Sequence, residues 1–243
     1  MNNRFDIDFL RENMMGPNCV RILEELSEDF TLKPDARVLD LGCGRGLTSI
    51  FLAEEFGARV FATDLWIPAA ENFQRFKQLG LDDRITPIHA EAHELPFAEG
   101  FFDAIVSIDA YYYFGAKEGF LDRYMAPLVK KDGLIAIAVP GLKKDFDAEI
   151  PEELVPFWEE DMNFFSLKWW QDLWSRAETI ELTHCRSLRC HEEAWQDWLQ
   201  CDNPYAKRDI EMLKAEGGRY FDTIGMIAKK TGDAENREPA SGS

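Results

Sequence analysis

Three glycines stand close together early in the chain, in the segment Val-Leu-Asp-Leu-Gly-Cys-Gly-Arg-Gly at 38–46. Glycine adopts positive φ angles without strain and lets bare backbone approach a ligand. A helical pattern follows, and the first turn of a helix offers unpaired N–H groups and a positive dipole end. Such a turn can bind a pyrophosphate or, equally, a carboxylate. Asp64 follows 18 residues after Gly46, and a carboxylate there can accept hydrogen bonds from both hydroxyls of an adenosine ribose.

A second group of polar and aromatic residues lies at 107–115, Ser-Ile-Asp-Ala-Tyr-Tyr-Tyr-Phe-Gly. It ends an apolar strand pattern, and the carboxyl ends of parallel strands form the ligand crevice of open α/β sheets. We expect Asp109 to act as a base or to anchor a cation. We expect Tyr112 to act at the reacting atoms and Tyr111 and Tyr113 to contact the substrate, since an aromatic wall suits an ammonium or a sulfonium. The alternative is that Asp109 caps the turn and the tyrosines only pack.

The elements that must position these residues alternate along the chain. Nearly continuous apolar runs predict strands covered on both faces, and helical patterns lie between them, so the sequence predicts a parallel sheet with crossover helices. The predicted strands are 37–41, 59–63, 85–90, 103–108, 134–139, 179–188 and 220–229. A helix is predicted from residue 18 onward, and further helices at 47–56, 69–79, 117–129, 167–177, 192–200 and 206–216.

The glycine segment resembles motif I of the class I methyltransferases, in which an acidic residue precedes Gly-x-Gly-x-Gly. A dinucleotide-dependent dehydrogenase would show its third glycine one residue later. The resemblance covers roughly residues 18–140 and extends more loosely to small-molecule members of the type 11, ubiquinone-biosynthesis-like group. It implies an α/β fold, namely a Rossmann-like, doubly wound, mostly parallel seven-stranded sheet with an antiparallel last strand and a helical insertion before it. It also implies S-adenosylmethionine as the cofactor.

The same resemblance implies which residues contact that cofactor. Asp40 is expected near the ammonium of its methionine portion, and Asp64 at its ribose. Residues 91–97 resemble the family's adenine-contacting loop, with Glu91 where Asp is more usual. The expected cofactor-binding residues are Met15, Asp40, Gly42, Cys43, Gly44, Gly46, Asp64, Leu65, Trp66, Glu91, Ala92, His93 and Ser107.

Several of these residues also have a plainer explanation. Met15 lies in a segment that closes over the cofactor in related enzymes, but a flexible thioether also packs well in a core. Tryptophans after residue 155 are typical of a core, although their density suggests a hydrophobic lid, with Trp169 lining the substrate site. The His-Cys and Cys-His pairs at 184–185 and 190–191 lack a usual zinc spacing, so no metal is expected.

The overall charge restricts the partners. With 27 basic and 45 acidic residues the chain has a formal charge of −18, and such a surface repels phosphate backbones and anionic lipids. We therefore expect neither nucleic acid nor a membrane as a partner. The chain has five irregularly spaced cysteines, no apolar leader and no run of about 20 apolar residues. These features predict a cytoplasmic protein. We expect it to be a monomer or a homodimer.

The predicted organisation is a single domain over residues 1–230, followed by a disordered tail at 231–243. It comprises an N-terminal cap at 1–17, a cofactor-binding core at 18–140 and a substrate lid at 141–178 and 189–219. The expected activity is methyl transfer from S-adenosylmethionine to a small-molecule acceptor by in-line displacement. The rival hypotheses are an NAD(P)-dependent oxidoreductase on a related sheet and a non-catalytic cofactor-binding protein.

Overall fold

The computed structural model describes residues 5–146 and 149–232 and contains a central sheet of seven strands. They are β1 (Arg37–Leu41), β2 (Arg59–Asp64), β3 (Ile85–His89), β4 (Phe102–Ile108), β5 (Val129–Leu142), β6 (Ile180–Ser187) and β7 (Phe221–Lys230). Their order across the sheet is β3-β2-β1-β4-β5-β7-β6. β1 to β5 pair in parallel, whereas β7 is antiparallel to both of its neighbours. The predicted fold class is confirmed.

The helices of the described residues begin and end where local chemistry favours it. They are α1 (Ile7–Asn13), α2 (Cys19–Leu26), α3 (Leu47–Phe56), α4 (Ala69–Gln78), α5 (Leu167–Trp174), α6 (His191–Leu199) and α7 (Pro204–Glu216). The Asn18 side chain caps α2 by accepting from the amides of Val20 and Arg21. Gly57, with φ of 63°, ends α3 in the left-handed region that suits glycine. α6 and α7 form the predicted helical insertion between β6 and β7.

The chain between β4 and β5 departs from the prediction. A helix was expected over 117–129, but the structure has a π-helical turn at Leu121–Met125, a 3₁₀ turn at Ala126–Leu128 and then β5. Two residues explain the difference. Gly119 has a φ of 78°, which a regular helix does not allow, and Pro127 has no N–H to donate.

The N-terminal segment is more regular than its sequence pattern indicates. Residues 1–17 were expected to form a cap or an irregular lead-in, and the structure places α1 within them. The carboxylate of Asp6 accepts from the amides of Asp8 and Phe9, at 2.9 and 3.1 Å, and so begins this helix. The predicted disordered tail falls almost entirely on residues 233–243, which lie outside the described residues.

Apolar side chains cover both faces of the sheet. On one face, Leu23 of α2 and Phe51 of α3 belong to a cluster with β1 and β4 side chains. On the other, Trp170 and Trp174 of α5 and Trp198 of α6 are each no more than 1% exposed. These three tryptophans therefore belong to the core. The crevice for a ligand is left where the strand order reverses, between the carboxyl ends of β1 and β4.

Candidate active site

The turn after β1 requires glycine at each of its three glycine positions. Gly42, Gly44 and Gly46 have φ angles of 76°, 53° and 82°. A Cβ on Gly42 would lie 2.3 Å from the Cβ of Ala110, and one on Gly46 would lie 2.5 Å from the ring of Phe76. The turn thus passes close to the chain after β4 while its backbone stays bare for a ligand.

Asp64, the last residue of β2, is held by backbone amides. One carboxylate oxygen accepts from the amide of Gly44 at 2.8 Å, and the other accepts from the amides of Trp66 and Ile67 at 2.7 and 2.9 Å. The side chain is largely buried but lines the cavity described below. The glycine turn and the end of β2 are therefore joined through this one carboxylate.

Asp40 lies beneath the glycine turn. One of its oxygens accepts from the hydroxyls of Thr48 and Ser49, both at 2.6 Å, while the other is buried without a hydrogen-bond partner among the described residues. Burial raises the pKa of Asp40 to about 6, and the charge of Asp64 adds to this shift. Asp40 does not line the cavity itself, but Thr48 does, so the charge of Asp40 acts there through a hydrogen-bonded hydroxyl.

A cavity of about 170 Å³ opens at these strand ends. Its walls come from the glycine turn, the ends of β2, β3 and β4 and the segment between α1 and α2. Of the expected cofactor-binding residues, those that line it are Met15, Gly42, Cys43, Gly44, Asp64, Leu65, Trp66, Glu91 and Ala92. Of the residues expected at the substrate, Asp109, Tyr112 and Tyr113 line it. Five separate stretches of sequence are thus brought to one cavity.

Leu65 and Trp66 form an exposed apolar edge of the cavity, 51% and 60% exposed. Opposite the end of β2, Glu91 follows β3 and is oriented by His93. The amide and Nδ1 of His93 contact the Glu91 carboxylate at 2.9 and 2.6 Å. Burial opposes ionisation of Glu91, but these contacts with His93 hold its pKa below the usual value. The cavity thus combines an apolar edge with an ionised carboxylate.

Asp109 follows β4 in an unusual backbone conformation, with a φ of 58°. Its side chain is half-buried and lines the cavity, and Gly16 packs so closely that a Cβ there would lie 2.2 Å from a carboxylate oxygen. Burial raises the pKa of Asp109 to about 8, and the charge of Asp209 in α7 adds to the shift. A carboxyl group that titrates near neutral pH can take up and release a proton during a reaction.

The three consecutive tyrosines, which form a 3₁₀ turn, separate in space. Tyr112 and Tyr113 line the cavity, with ring centroids 4.0 Å apart. Tyr111 is fully buried away from it, between Phe120 and Trp174 on the core side. Tyr111 therefore has no contact with the cavity, although it was expected at the substrate.

Four other expected site residues also lie outside the cavity lining. His93 packs edge-on against Phe120 and Tyr124, and Trp169 stacks on Phe165 with centroids 3.8 Å apart. Ser107 is fully buried in β4, and Gly46 begins α3 behind the turn. Trp169 therefore belongs to the packing around α5, whereas Ser107 and Gly46 support the turn and the strand end that face the cavity.

The structure adds cavity residues that the sequence pattern did not reveal. The N-terminal segment contributes Asn13, Gly16, Pro17 and Cys19, and Arg45 of the glycine turn also lines the cavity. The signal for the segment was weak, since only Asn18, as a helix cap, marks the place where the chain turns back toward the sheet. The N-terminal segment is therefore one wall of the site.

Among the described residues, no cluster of three or more His, Cys, Asp or Glu side chains is arranged to hold a metal ion. Nor does any helix in that part of the chain have the length and apolar character needed to cross a membrane.

Residues 38–133, which contain the glycine turn, Asp64 and Asp109, match the family model described as a methyltransferase domain. This region of the chain is a methyltransferase domain of the class I type. The cofactor of these methyltransferases is S-adenosylmethionine. The narrower resemblance to the ubiquinone-biosynthesis-like group stays a prediction.

Curated relatives of this chain match it over part of their length. A methyltransferase of Streptomyces halstedii is 32% identical over 49% of this chain and 42% of its own. The sarcosine/dimethylglycine N-methyltransferase of Halorhodospira halochloris is 32% identical over 37% of this chain and 33% of its own. The chain thus spans less than half the length of these two relatives.

Solved structures share the fold of this chain at low identity. Geranyl diphosphate C-methyltransferase from Streptomyces coelicolor, in complex with S-adenosyl-L-homocysteine, has a TM-score of 0.70 at 15% identity, covering 88% of this chain and 76% of its own. Phosphoethanolamine N-methyltransferase 2 of Haemonchus contortus has a TM-score of 0.72 at 17% identity, covering 95% and 59%. These similarities extend the shared fold beyond residues 38–133 to most of the described chain.

The residues of the site fit S-adenosylmethionine. The glycine turn has no Cβ where a ligand would approach, and Asp64 stands at the strand end where a ribose is bound in sheets of this type. Asp40, with one buried oxygen lacking a partner, places a negative group close behind the turn, where it favours an ammonium.

Proposed function

We propose that this protein transfers a methyl group from S-adenosylmethionine to a small-molecule acceptor by in-line displacement. One observation carries the proposal. A single cavity joins the glycine turn and Asp64, which suit the cofactor, to Asp109 and Tyr112, which suit an acceptor. Methyl transfer requires the cofactor and the acceptor to be held side by side in the correct orientation. It does not require a strong nucleophile on the protein.

The binding roles divide between the two sides of the cavity. Gly42, Gly44 and Met15 contact the amino-acid portion of the cofactor, with Asp40 acting on it through Thr48. Asp64 binds the ribose. The adenine is surrounded by Leu65, Trp66, Glu91 and Ala92. Leu65 and Trp66 form the apolar edge of the cavity, and Glu91 supplies the carboxylate opposite the end of β2.

When bound, S-adenosylmethionine would supply a methyl group on a sulfonium: a lone pair of the acceptor would form the bond to the methyl carbon, and the sulfur would keep the electron pair of the broken carbon–sulfur bond. Asp109 and Tyr112 are the catalytic residues of the proposal. An acceptor that arrives protonated gives its proton to a carboxylate oxygen of Asp109, whose raised pKa suits that role. The Tyr112 hydroxyl orients the acceptor, and Tyr113 with the N-terminal segment excludes water.

The acceptor is proposed to be a small molecule because a segment outside the family match packs against the tyrosine turn that lines this side of the cavity. Asn163 donates to the carbonyl of Tyr112 at 3.0 Å, which holds the segment after β5 against the tyrosine turn. Residues 141–178 and 189–219 form the proposed lid. Relatives named for sarcosine and dimethylglycine methylation support a small acceptor, and the charge of −18 supports the absence of nucleic acid. A cytoplasmic monomer or homodimer is part of the same proposal.

The test combines binding with group transfer. Isothermal titration with S-adenosylhomocysteine and, separately, with NAD is expected to show binding of the first alone. Incubation with methyl-labelled S-adenosylmethionine and a metabolite extract is then expected to place label in the low-molecular-weight fraction. Binding of NAD alone would support the oxidoreductase, and binding of S-adenosylhomocysteine without any transfer would support a non-catalytic protein. Label confined to protein or nucleic acid would overturn the small-molecule acceptor.

A further inference from the structure

Asp109 presents an uncompensated carboxyl group to the cavity. Among the described residues its side chain has no hydrogen-bond or ion-pair partner, and the nearby charge that acts on it is another carboxylate, Asp209. Of the described residues that line the cavity, Arg45 alone is a Lys or Arg, and its guanidinium donates to the carbonyl of Glu12 at 2.5 Å. A ligand beside Asp109 therefore meets a carboxyl group that, once it ionises above about pH 8, no Lys or Arg among the described cavity residues neutralises.

The chain after β5 brings a further carboxylate to the tyrosine turn. The side-chain amide of Asn163 donates to the carbonyl of Tyr112 at 3.0 Å and to that of Asp161 at 3.2 Å, so Asp161 lies beside this turn. The charge of this carboxylate affects the pKa of the neighbouring Tyr113 side chain. Burial raises the pKa of Tyr113 to about 12, and the charges of Asp109 and Asp161 add to the shift.

α7 contributes to the same side of the site. Asp209 is oriented by the indole of Trp198, which donates to it at 2.8 Å. The neighbouring Arg208 is paired with Glu159 at 2.5 Å. Asp161 and Asp209 thus leave an excess of negative charge from segments that lie outside the shared domain at 38–133. This charge thus comes from segments outside the region that the family model matches.

Aromatic rings complete the surface around Asp109. Tyr112 and Tyr113 lie against each other, and Trp66 packs edge-on to Tyr113 with centroids 5.1 Å apart. The Tyr112 side chain is 8% exposed and lines the cavity, and its hydroxyl interacts with the hydroxyl of Tyr113. Ring faces attract cations, and a nearby carboxylate adds to that attraction.

We propose that the methyl acceptor carries a positively charged nitrogen, recognised by Asp109 together with the rings of Tyr112, Tyr113 and Trp66. The proposal rests on the proposed function, since it names the substrate class of that same site. An anionic acceptor would be repelled by Asp161 and by ionised Asp109, and a neutral acceptor would leave the half-buried carboxylate of Asp109 unpaired.

Three probes of nearly equal shape and different charge test the proposal. Choline is cationic, 3,3-dimethylbutan-1-ol is its neutral carbon counterpart, and 3,3-dimethylbutyrate is anionic. Each is titrated by calorimetry at about pH 9, where Asp109 is ionised, into the protein saturated with S-adenosylhomocysteine, so that the cofactor's own ammonium already occupies its place. Choline is expected to bind about tenfold more tightly than the neutral probe, which corresponds to about 1.4 kcal/mol, and the anion is expected to bind least.

Two variants assign the preference to its residues. Asp109→Asn is expected to abolish most of the preference for choline while leaving the affinity for S-adenosylhomocysteine unchanged. Asp82→Asn replaces an exposed acid that precedes β3, at the opposite end of the strands from Asp109, and is expected to leave the preference intact. Equal loss in both variants would assign the preference to the overall charge and overturn the proposal.

The pH dependence of choline binding gives a second readout. The groups that act on or near Asp109 are Asp209 of α7, Cys19 of α2, and Tyr112 and Tyr113 of the turn. Because burial raises the pKa of Asp109 to about 8, choline affinity is expected to fall as the pH is lowered below that value, whereas the neutral probe is unaffected.

The outcomes separate this proposal from the proposed function. Failure to bind S-adenosylhomocysteine would reject the function itself. Normal binding of S-adenosylhomocysteine with equal or reversed preference among the probes, including no detectable choline binding at millimolar concentration, would overturn the cationic acceptor alone. If Asp109→Asn lost affinity for S-adenosylhomocysteine but kept choline binding, the Asp109 carboxylate would be assigned to the cofactor. That outcome would also overturn the cationic acceptor.

Discussion

The amide of Gly44 donates a hydrogen bond of 2.8 Å to the carboxylate of Asp64, 20 residues later in the chain. This contact joins the turn after β1 to the end of β2. The same carboxylate accepts from the amides of Trp66 and Ile67 through its other oxygen. One side chain thus orders both backbone segments that are proposed to hold the cofactor.

Asp64→Asn is therefore expected to weaken S-adenosylhomocysteine binding by about 10- to 100-fold, as lost charge-assisted hydrogen bonds of about 1.5–3 kcal/mol imply. The asparagine oxygen can still accept from Trp66 and Ile67, but its amide group faces the N–H of Gly44. Calorimetric titration measures the change, with Asp82→Asn as the matched control. Unchanged affinity in Asp64→Asn would show that this carboxylate does not bind the cofactor.

Gly42→Ala and Gly80→Ala form a pair that separates backbone strain from crowding. Both glycines have positive φ angles, 76° and 70°, but a Cβ on Gly42 would lie 2.3 Å from Ala110, whereas one on Gly80 meets nothing within 4 Å. Gly80→Ala is expected to lose about 1–2 kcal/mol of the free energy of unfolding from strain alone. Gly42→Ala is expected to lose more and also to lose cofactor binding. Urea denaturation and calorimetry measure the two effects, and equal losses would contradict the predicted crowding.

Tyr111→Phe is expected to leave the free energy of unfolding unchanged or slightly raised. The Tyr111 hydroxyl is buried without a hydrogen-bond partner in the described chain, so its removal relieves a desolvated polar group. Tyr111→Ala, in contrast, is expected to cost about 3–5 kcal/mol, because the ring fills the core between Phe120 and Trp174. Urea denaturation of both variants distinguishes them. A loss above about 1 kcal/mol in Tyr111→Phe would mean that the hydroxyl is bonded after all.

Asp109→Asn is expected to stabilise the protein increasingly as the pH rises. The pKa of Asp109 is raised to about 8, chiefly by burial, whereas an unfolded aspartate titrates near about 3.9. The stability that the protonated carboxyl provides is complete below about pH 4 and is lost as the pH rises through about 8. Asparagine stays neutral throughout and tolerates the positive φ. Any backbone effect of the substitution therefore changes the free energy of unfolding by the same amount at every pH.

Thermal unfolding of wild type and Asp109→Asn at about pH 5, 7 and 9 checks this sign. The gain in melting temperature is expected to be a few degrees at the highest pH and to shrink toward the lowest. Asp40 has a raised pKa as well, but it is present in both proteins and cancels in the comparison. A difference that does not vary with pH would show that Asp109 titrates near its usual value.

The sequence by itself determined the sheet, the glycine turn and the position of Asp64. Apolar runs of strand length, helical patterns between them and the Gly-x-Gly-x-Gly spacing are local properties of the chain. The bounds of β1 and α3 agree with their predicted ranges, 37–41 and 47–56, for this reason. The prediction of a helix at 117–129 was wrong, because Gly119 and Pro127 disfavour a regular helix in a segment whose apolar pattern favours one.

Only the tertiary structure decided which side chains reach the cavity. In a 3₁₀ turn, successive residues point about 120° apart, so the pattern Tyr-Tyr-Tyr cannot show that Tyr111 turns to the core while Tyr112 and Tyr113 turn to the cavity. That choice is made by Trp170 and Trp174, which are distant in sequence. The wall around Gly16 likewise depends on where α1 and α2 pack. Each of these contacts joins segments far apart in the chain, and no local pattern records them.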